Sequence, residues 1–135
     1  GAASMKRILV CGSRTHDHTA LVEAALDDEF RASPAGLRVI HGGIGGVAAV
    51  ANAWAWGQRA LGRGVDVVSC PLTTEDARAP RAFRHRNVRM LRFSKPQLVL
   101  AFPGDDESWH LVRVARCAGI EVVEVGEVAM GALVS

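Results

Sequence analysis

The chain has 135 residues, 49% of them hydrophobic, and a formal charge of +2 at pH 7. That length suits one domain with a real core, and the apolar content excludes an intrinsically disordered chain. No apolar run reaches the roughly 20 residues of a bilayer crossing, and so small a net charge gives no argument for nucleic acid by itself.

Gly1-Ala2-Ala3-Ser4 reads as an expression scar ahead of a native start at Met5, leaving 5–135 as a single domain. No signal peptide is visible. Cys11, Cys70 and Cys117 are odd in number, widely spaced and set in apolar runs, which suits buried thiols in the reducing cytoplasm. No Cys-x-x-Cys occurs. His16-Asp17-His18 offers adjacent loop ligands without a third partner, so no metal and no cofactor is assigned.

In chain order, Lys6-Arg7-Ile8-Leu9-Val10-Cys11 is a continuous apolar run closed by Gly12, as a strand buried on both faces requires. A helix then starts at Asp17 or Thr19, with Leu21, Val22, Ala25, Leu26 and Phe30 at helical spacing and Glu23, Asp27, Asp28 and Glu29 outside. Ser33-Pro34-Ala35-Gly36 ends it. Leu37 to His41 is a second strand, followed by a glycine turn and an alanine-rich helix from about Gly45 to Leu61. Val65 to Cys70 is a third strand, and Pro71 to Pro80 a loop in which Thr73-Thr74-Glu75-Asp76 offers turn or cap chemistry. Arg81 to Phe93 is a basic helix broken by Ser94-Lys95-Pro96. Gln97 to Phe102 is a fourth strand. Pro103-Gly104-Asp105-Asp106 turns into a helix from about Glu107 to Cys117, capped by Ala118-Gly119. Glu121 to Val125 is a fifth strand, and the tail after it has no clear pattern.

Strands alternating with helices predict an α/β three-layer sandwich, a mostly parallel sheet of about five strands with helices on both faces. Ligands of such sheets sit at the carboxyl ends of the strands, where the winding changes direction. Three loops are expected to meet there: Gly12–Thr15, His41–Gly46 and Phe102–Glu107.

The glycine turn, His41-Gly42-Gly43-Ile44-Gly45-Gly46, is the strongest local signal. Glycines leave the backbone free to approach a ligand, and the helix behind them aims unpaired amides and a positive dipole end at it. That is an anion cradle, most often for phosphate. Gly43-x-Gly45-x-x-Ala48 matches the dinucleotide fingerprint in form only. It follows the second strand, and Asp66 opens the third strand instead of closing it. No Gly-Lys-Ser/Thr follows, which excludes a P-loop.

Ser13 and Arg14 put a hydroxyl and a guanidinium at the mouth of the first strand, suited to a phosphate or carboxylate. His41 at a strand end is placed to orient the turn or to touch the ligand. Asp105, Asp106 and Glu107 start a helix, where capping is their ordinary role; otherwise they suit ribose hydroxyls or acid–base work. On the basic helix, Arg78, Arg81, Arg84, His85, Arg89, Arg92 and Lys95 form either a nucleic-acid or phosphate patch or, the reading preferred for most of them, a solvated face or one pairing with the acidic first helix of a second copy.

Taken together, Gly12-Ser13-Arg14, His41-Gly42-Gly43, Arg86-Asn87 with Met90, Ala101-Phe102-Pro103-Gly104 and Ala118-Gly119-Ile120 resemble the SLOG superfamily. That group includes the LOG-type phosphoribohydrolases, formerly termed lysine decarboxylases. The resemblance runs from about Lys6 to Val125 and is nearest the small YspA-like branch common in actinobacteria and their phages. It implies a Rossmann-like nucleotide-binding fold. The hydrolases of the superfamily cleave the N-glycosidic bond of nucleoside monophosphates with an arginine and a glutamate. Their arginine falls on Arg86. Of their Pro-Gly-Gly-x-Gly-Thr-x-x-Glu only Pro103 and Gly104 remain; Asp105 and Glu107 replace glycines, Ser108 the threonine and Leu111 the glutamate. The branch motif His-Gly-Gly-Ala-Arg-Gly-Ala-Asp has Gly45 for its arginine and Ala48 for its aspartate. Arg86 and Glu107 are therefore the catalytic candidates, Glu107 standing one helical turn before the family's carboxylate. Gly12, Ser13, Arg14, His41, Gly42, Gly43, Gly45, Gly46, Asn87, Pro103, Gly104 and Asp105 are the binding candidates.

The resulting expectation is a cytoplasmic homodimer that binds a nucleotide or nucleotide-derived small molecule, as a sensor or sequestering protein. A phosphoribohydrolase is the first alternative. A single-stranded nucleic-acid-binding module is the second, since relatives of the DNA-processing protein A type bind single strands.

Overall fold

Short apolar runs give the strands of the computed structural model, which describes residues 4–43 and 45–126. Ile44, most of the expected scar and the tail from 127 to 135 lie outside the described residues. The strands are β1 (Lys6–Cys11), β2 (Leu37–His41), β3 (Val65–Ser69), β4 (Leu98–Ala101) and β5 (Glu121–Glu124). Between them run α1 (Thr19–Arg31), α2 (Val47–Ala60), α3 (Thr74–Arg78), α4 (Ala82–Ser94) and α5 (Asp106–Cys117). The strands form one parallel sheet in the order β3-β2-β1-β4-β5.

The pleat sends alternate side chains to opposite faces, so every central strand supplies two cores. Ile8, Val10, Val39 and Leu100 pack under α1 and α2 with Val22, Leu26, Ala51 and Trp54. Leu9, Cys11, Ile40 and Val99 pack under α4 and α5 with Met90, Leu91, Leu111 and Ala115. The result is the three-layer, Rossmann-like arrangement the alternating pattern predicts. No helix among the described residues is long and apolar enough to cross a membrane.

Two expectations need correction. The stretch from Pro71 to Pro80 is not all loop, because it holds the five-residue helix α3. The Thr73 hydroxyl accepts from the Asp76 amide and the Asp76 carboxylate accepts from the Thr73 amide, and this reciprocal box nucleates the turn. Helix α2 starts two residues later than its composition suggests. Gly46 sits at φ +61°, outside helical geometry, and a Cβ there would collide with the Ser13 carbonyl oxygen.

The strand order places a crevice. From β1 the chain winds outward to β2 and β3, then returns to β4 and β5 on the other side. The winding reverses between β1 and β4, and a crevice opens at their carboxyl ends. The two strands stay in register up to Cys11 opposite Ala101, and the Ser13 amide then donates to the Pro103 carbonyl at 2.9 Å. The loops flanking the crevice are thus tied at their base.

Candidate functional site

The crevice is a narrow cleft floored by Val10 and Cys11 at the end of β1. Gly42, Gly45 and Ala48 form one side, Phe83, Arg86 and Asn87 of α4 a second, and Asp105, Glu107, Ser108 and Leu111 of α5 a third. Eight of the residues singled out from sequence line it: Gly12, Arg14, Gly42, Gly45, Arg86, Asn87, Asp105 and Glu107. Ser13, His41, Gly43, Gly46, Pro103 and Gly104 stand behind that lining and hold its frame.

Arg86 is the central side chain. Helix α4 turns it inward beside Met90 and Asn87, and only 8% of it is exposed. Its Nη1 donates to the carbonyls of Gly42 (2.9 Å) and Cys70 (3.3 Å), and its Nε to Asn87 Oδ1 (3.2 Å). Gly42 is what makes this seat possible, since a Cβ there would lie 2.5 Å from Arg86 Nη1. Among the described residues, no carboxylate lies within ion-pair distance of this guanidinium. Burial pulls its pKa below the ordinary arginine value, with Cys70 and Asp76 opposing, yet an arginine stays charged at any working pH. The cleft therefore holds a buried cation without a counterion.

Asn87, 1% exposed, ties this wall to the next. Its amide nitrogen donates to the Glu107 carbonyl at 2.8 Å and meets His110 Nδ1 at 3.3 Å. Asp105 caps α5: its Oδ1 accepts from the Ser108 amide, and the Ser108 hydroxyl accepts from the Asp105 amide. Burial pushes the Asp105 carboxyl up, but the Ser108 amide and the Arg14 guanidinium outweigh it and hold its pKa below the ordinary value.

Arg14 spans the mouth. Its Nε meets Asp105 at 3.2 Å, its Nη2 meets Glu107 at 3.4 Å, and its guanidinium lies 4.3 Å from the centre of the Phe83 ring. Closed in this way, the cleft keeps a cavity of about 40 Å³, room for a few waters. The Arg14 side chain thus narrows the entrance.

The glycine turn is more heavily engaged than its composition suggests. The Gly43 amide donates to His41 Nδ1 at 2.9 Å, and the Val47 amide to the Ser13 carbonyl at 2.9 Å. His41, 2% exposed, has Nε2 on Asn52 Oδ1 at 2.9 Å. An accepting Nδ1 and a donating Nε2 describe a neutral ring. Burial pulls the His41 pKa down, Asn52 resists, and the charge of Arg86 adds to the fall. The Ser13 hydroxyl accepts from the amides of Thr15 and His16 and so shapes its own loop. The anion-binding capacity of the cleft accordingly rests on its arginines, with the start of α2 beside them at Gly45 and Ala48.

Sequence reasoning missed several residues here. Phe83 is the platform under Arg14, at 4.3 Å, and its ring also lies 5.6 Å from the Arg86 guanidinium. Cys11 forms part of the floor, where burial, together with Asp105, pushes its thiol up to about 12. Asn52, the partner of His41, carried no local signal. Asp66 accepts from Arg59 at 2.8 Å and lies near Arg38 at 3.6 Å, an ordinary surface cluster far from any ribose role.

Comparison with known proteins follows the same outline. The family model described as YspA, cpYpsA-related SLOG family matches residues 6–76, from β1 through the glycine turn to α3. The gene 61 protein of Mycobacterium phage D29 is 37% identical over 131 residues, an alignment covering 91% of this chain and 98% of that protein. The phage protein extends the likeness beyond the stretch that the family model covers.

Proposed function

This chain belongs to the YspA, cpYpsA-related SLOG family, and from that membership and the chemistry of the cleft we propose that it binds a nucleotide or nucleotide-derived small molecule at the carboxyl ends of β1 and β4. The observation that carries the reading is Arg86. A buried charge is costly unless paired, and this one is 8% exposed, lacks an acidic partner among the described residues and faces a cleft at the reversal of the sheet. An entering phosphate supplies the missing charge.

In this account the phosphate meets Arg86 and the start of α2. Arg14 exchanges Asp105 and Glu107 for the phosphate, which opens the mouth. The two carboxylates, once released, face the sugar hydroxyls, and Phe83 offers its ring to a planar group. Positions at which this chain departs from the family's motifs, Gly45, Ala48, Asp105, Glu107, Ser108 and Leu111, all line the cleft. Leu111, 2% exposed, puts apolar surface where the hydrolases carry their glutamate. That favours binding, as a sensor or sequestering protein, over turnover.

One observation favours a second reading, an N-glycosidase acting on nucleoside monophosphates. Asn87 links Arg86 to the backbone of Glu107, so a phosphate-binding cation and a carboxylate share one cleft. Calorimetry against nucleoside mono- and diphosphates tests the first reading: binding is expected in the wild type, and silence across the panel would overturn it. Assaying the same mixtures for free base separates the second. Base release that stops in Glu107→Gln establishes turnover; binding without release leaves sequestration.

A further inference from the structure

On the outer side of α4, away from the cleft, lies a groove of about 710 Å³, within the size range of small-molecule sites. Arg81, Arg84, His85, Val88 and Arg92 line it from the α4 side, and His110 closes it from α5. We propose that this groove is a second anion site, independent of the β1–β4 cleft, that takes a short run of linked phosphates such as an inorganic polyphosphate.

Three features of the groove lead to this ligand. First, its positive charge is uncompensated. Arg81, Arg84 and Arg92 make no ion pair among the described residues. Asp106 and Glu107 line a neighbouring depression together with Arg81 and Arg84, and Glu107 is already engaged by Arg14 at 3.4 Å. Asp76 is fully buried and already holds Arg89 at 2.7 Å and His85 at 2.7 Å. Burial and the charges of Arg84, Arg113 and Arg81 pull the His110 pKa down, as expected where cations converge on one ring.

Second, the groove holds two imidazole rings in fixed orientation. Asp76 accepts from His85 Nδ1, so the ring is held with Nε2 towards the groove, where it donates to an anion only when the ring is doubly protonated. His110 is held the other way round: its Nδ1 accepts from the Asn87 amide nitrogen, which leaves Nε2–H as a donor. Helix α4 begins at this end with Arg81 as its N-cap, with no side-chain cap and no acidic residue in the first turn. Its positive end therefore adds to the field.

Third, the shape selects among anions. Arg84 and Arg92 are eight residues apart, about 12 Å along a helix. Linked phosphates can follow that span and meet several of these cations at once, where a single tetrahedral anion meets fewer. No Phe or Trp lines the groove among the described residues, so it lacks the stacking platforms that single-stranded nucleic acid uses.

Calorimetry with tripolyphosphate on the full chain tests the proposal. The wild type is expected to bind, with affinity falling steeply as salt rises. The double variant Arg84→Glu/Arg92→Glu should bind at least about tenfold more weakly, while Arg31→Glu/Arg63→Glu, at exposed positions outside the groove, binds as the wild type does and Arg86→Gln reports binding in the cleft instead. Histidine ring signals in NMR give a readout that needs no variant: those of His85 and His110 should shift on titration and that of His41 should not. The proposal is overturned by no binding, by loss confined to Arg86→Gln, by undiminished binding in the double variant, or by binding of single-stranded DNA or anionic vesicles where tripolyphosphate is ignored.

Discussion

Arg86 and Arg89 stand three residues apart on α4, and the fold treats them in opposite ways. Arg89 meets the fully buried Asp76 through two nitrogens, at 2.7 and 3.3 Å, and adds the Pro71 carbonyl at 3.0 Å. Its hydrogen bond to Asp76 pushes its pKa up against burial. Arg86 is packed more deeply and has only carbonyls and an amide oxygen around it, and burial pulls its pKa down. A cation with a built-in counterion closes a structure, here pinning the α3 turn to α4. A cation without one leaves a place for something else, and it is the second that lines the cleft.

Removing each partner should show this contrast, beginning with the largest effect. Asp76→Asn is expected to cost about 3 kcal/mol of folding stability, the low end for a broken buried pair because Arg89 still reaches solvent. Urea unfolding reads it, and a loss under about 1 kcal/mol would mean that the pair is not structural. The same carboxyl sets an acid limit. The Arg89 hydrogen bond, with the Thr73 amide and His85, holds the folded Asp76 pKa below its unfolded value against burial. Its contribution is therefore present above about pH 3.9 and is lost as pH falls through the lower folded value; Asp76→Asn should flatten that part of the stability–pH curve.

A smaller pH effect belongs to His41. Its folded pKa lies below the unfolded one, so its contribution is present above about pH 6.5 and is lost as pH falls from there towards the folded value. Denaturation at pH 8 and pH 5 should show the loss, and His41→Asn should diminish it. Smaller still is Arg14→Ala. The Arg14 pairs are about one-third exposed, so stability should change by less than about 1 kcal/mol while the cleft opens. At the far end stands Arg86→Met, expected to change stability by less than about 1 kcal/mol, because removal of an unpaired buried charge offsets the loss of its bonds to Gly42, Cys70 and Asn87. A loss comparable to that of Asp76→Asn would erase the distinction between the two arginines.

The layers were legible in sequence because they rest on local periodicity. Continuous runs such as Ile8-Leu9-Val10 and Leu98-Val99-Leu100 mark strands covered on both faces, and the spacing of Leu21 to Phe30 marks a helix. The short α3 was not read as a helix because five residues carry no period, although Thr73-x-x-Asp76 announced its cap. Asp76 as the partner of His85 and Arg89 was less visible still. Those two residues lie four apart on one helix face, and that spacing was the available hint of a shared partner. The closure of the cleft lay beyond local reading, because Arg14 meets Asp105 and Glu107 more than 90 positions later in the chain. Likewise, nothing near Val47 says that a distant carbonyl occupies its amide, whereas His41 was placed to orient the turn and its Nδ1 does hold the Gly43 amide. Glycine spacing described a cradle correctly as backbone and overstated how many of its donors are free.

The most direct measurement is calorimetric titration of nucleoside mono- and diphosphates into the wild type and into Arg86→Gln. The account predicts binding to the wild type that is weakened roughly ten- to a hundredfold in Arg86→Gln, with the variant as stable to urea as its parent. Equal affinity in the two proteins would contradict it, because the unpaired guanidinium would then not be what the ligand's negative charge answers.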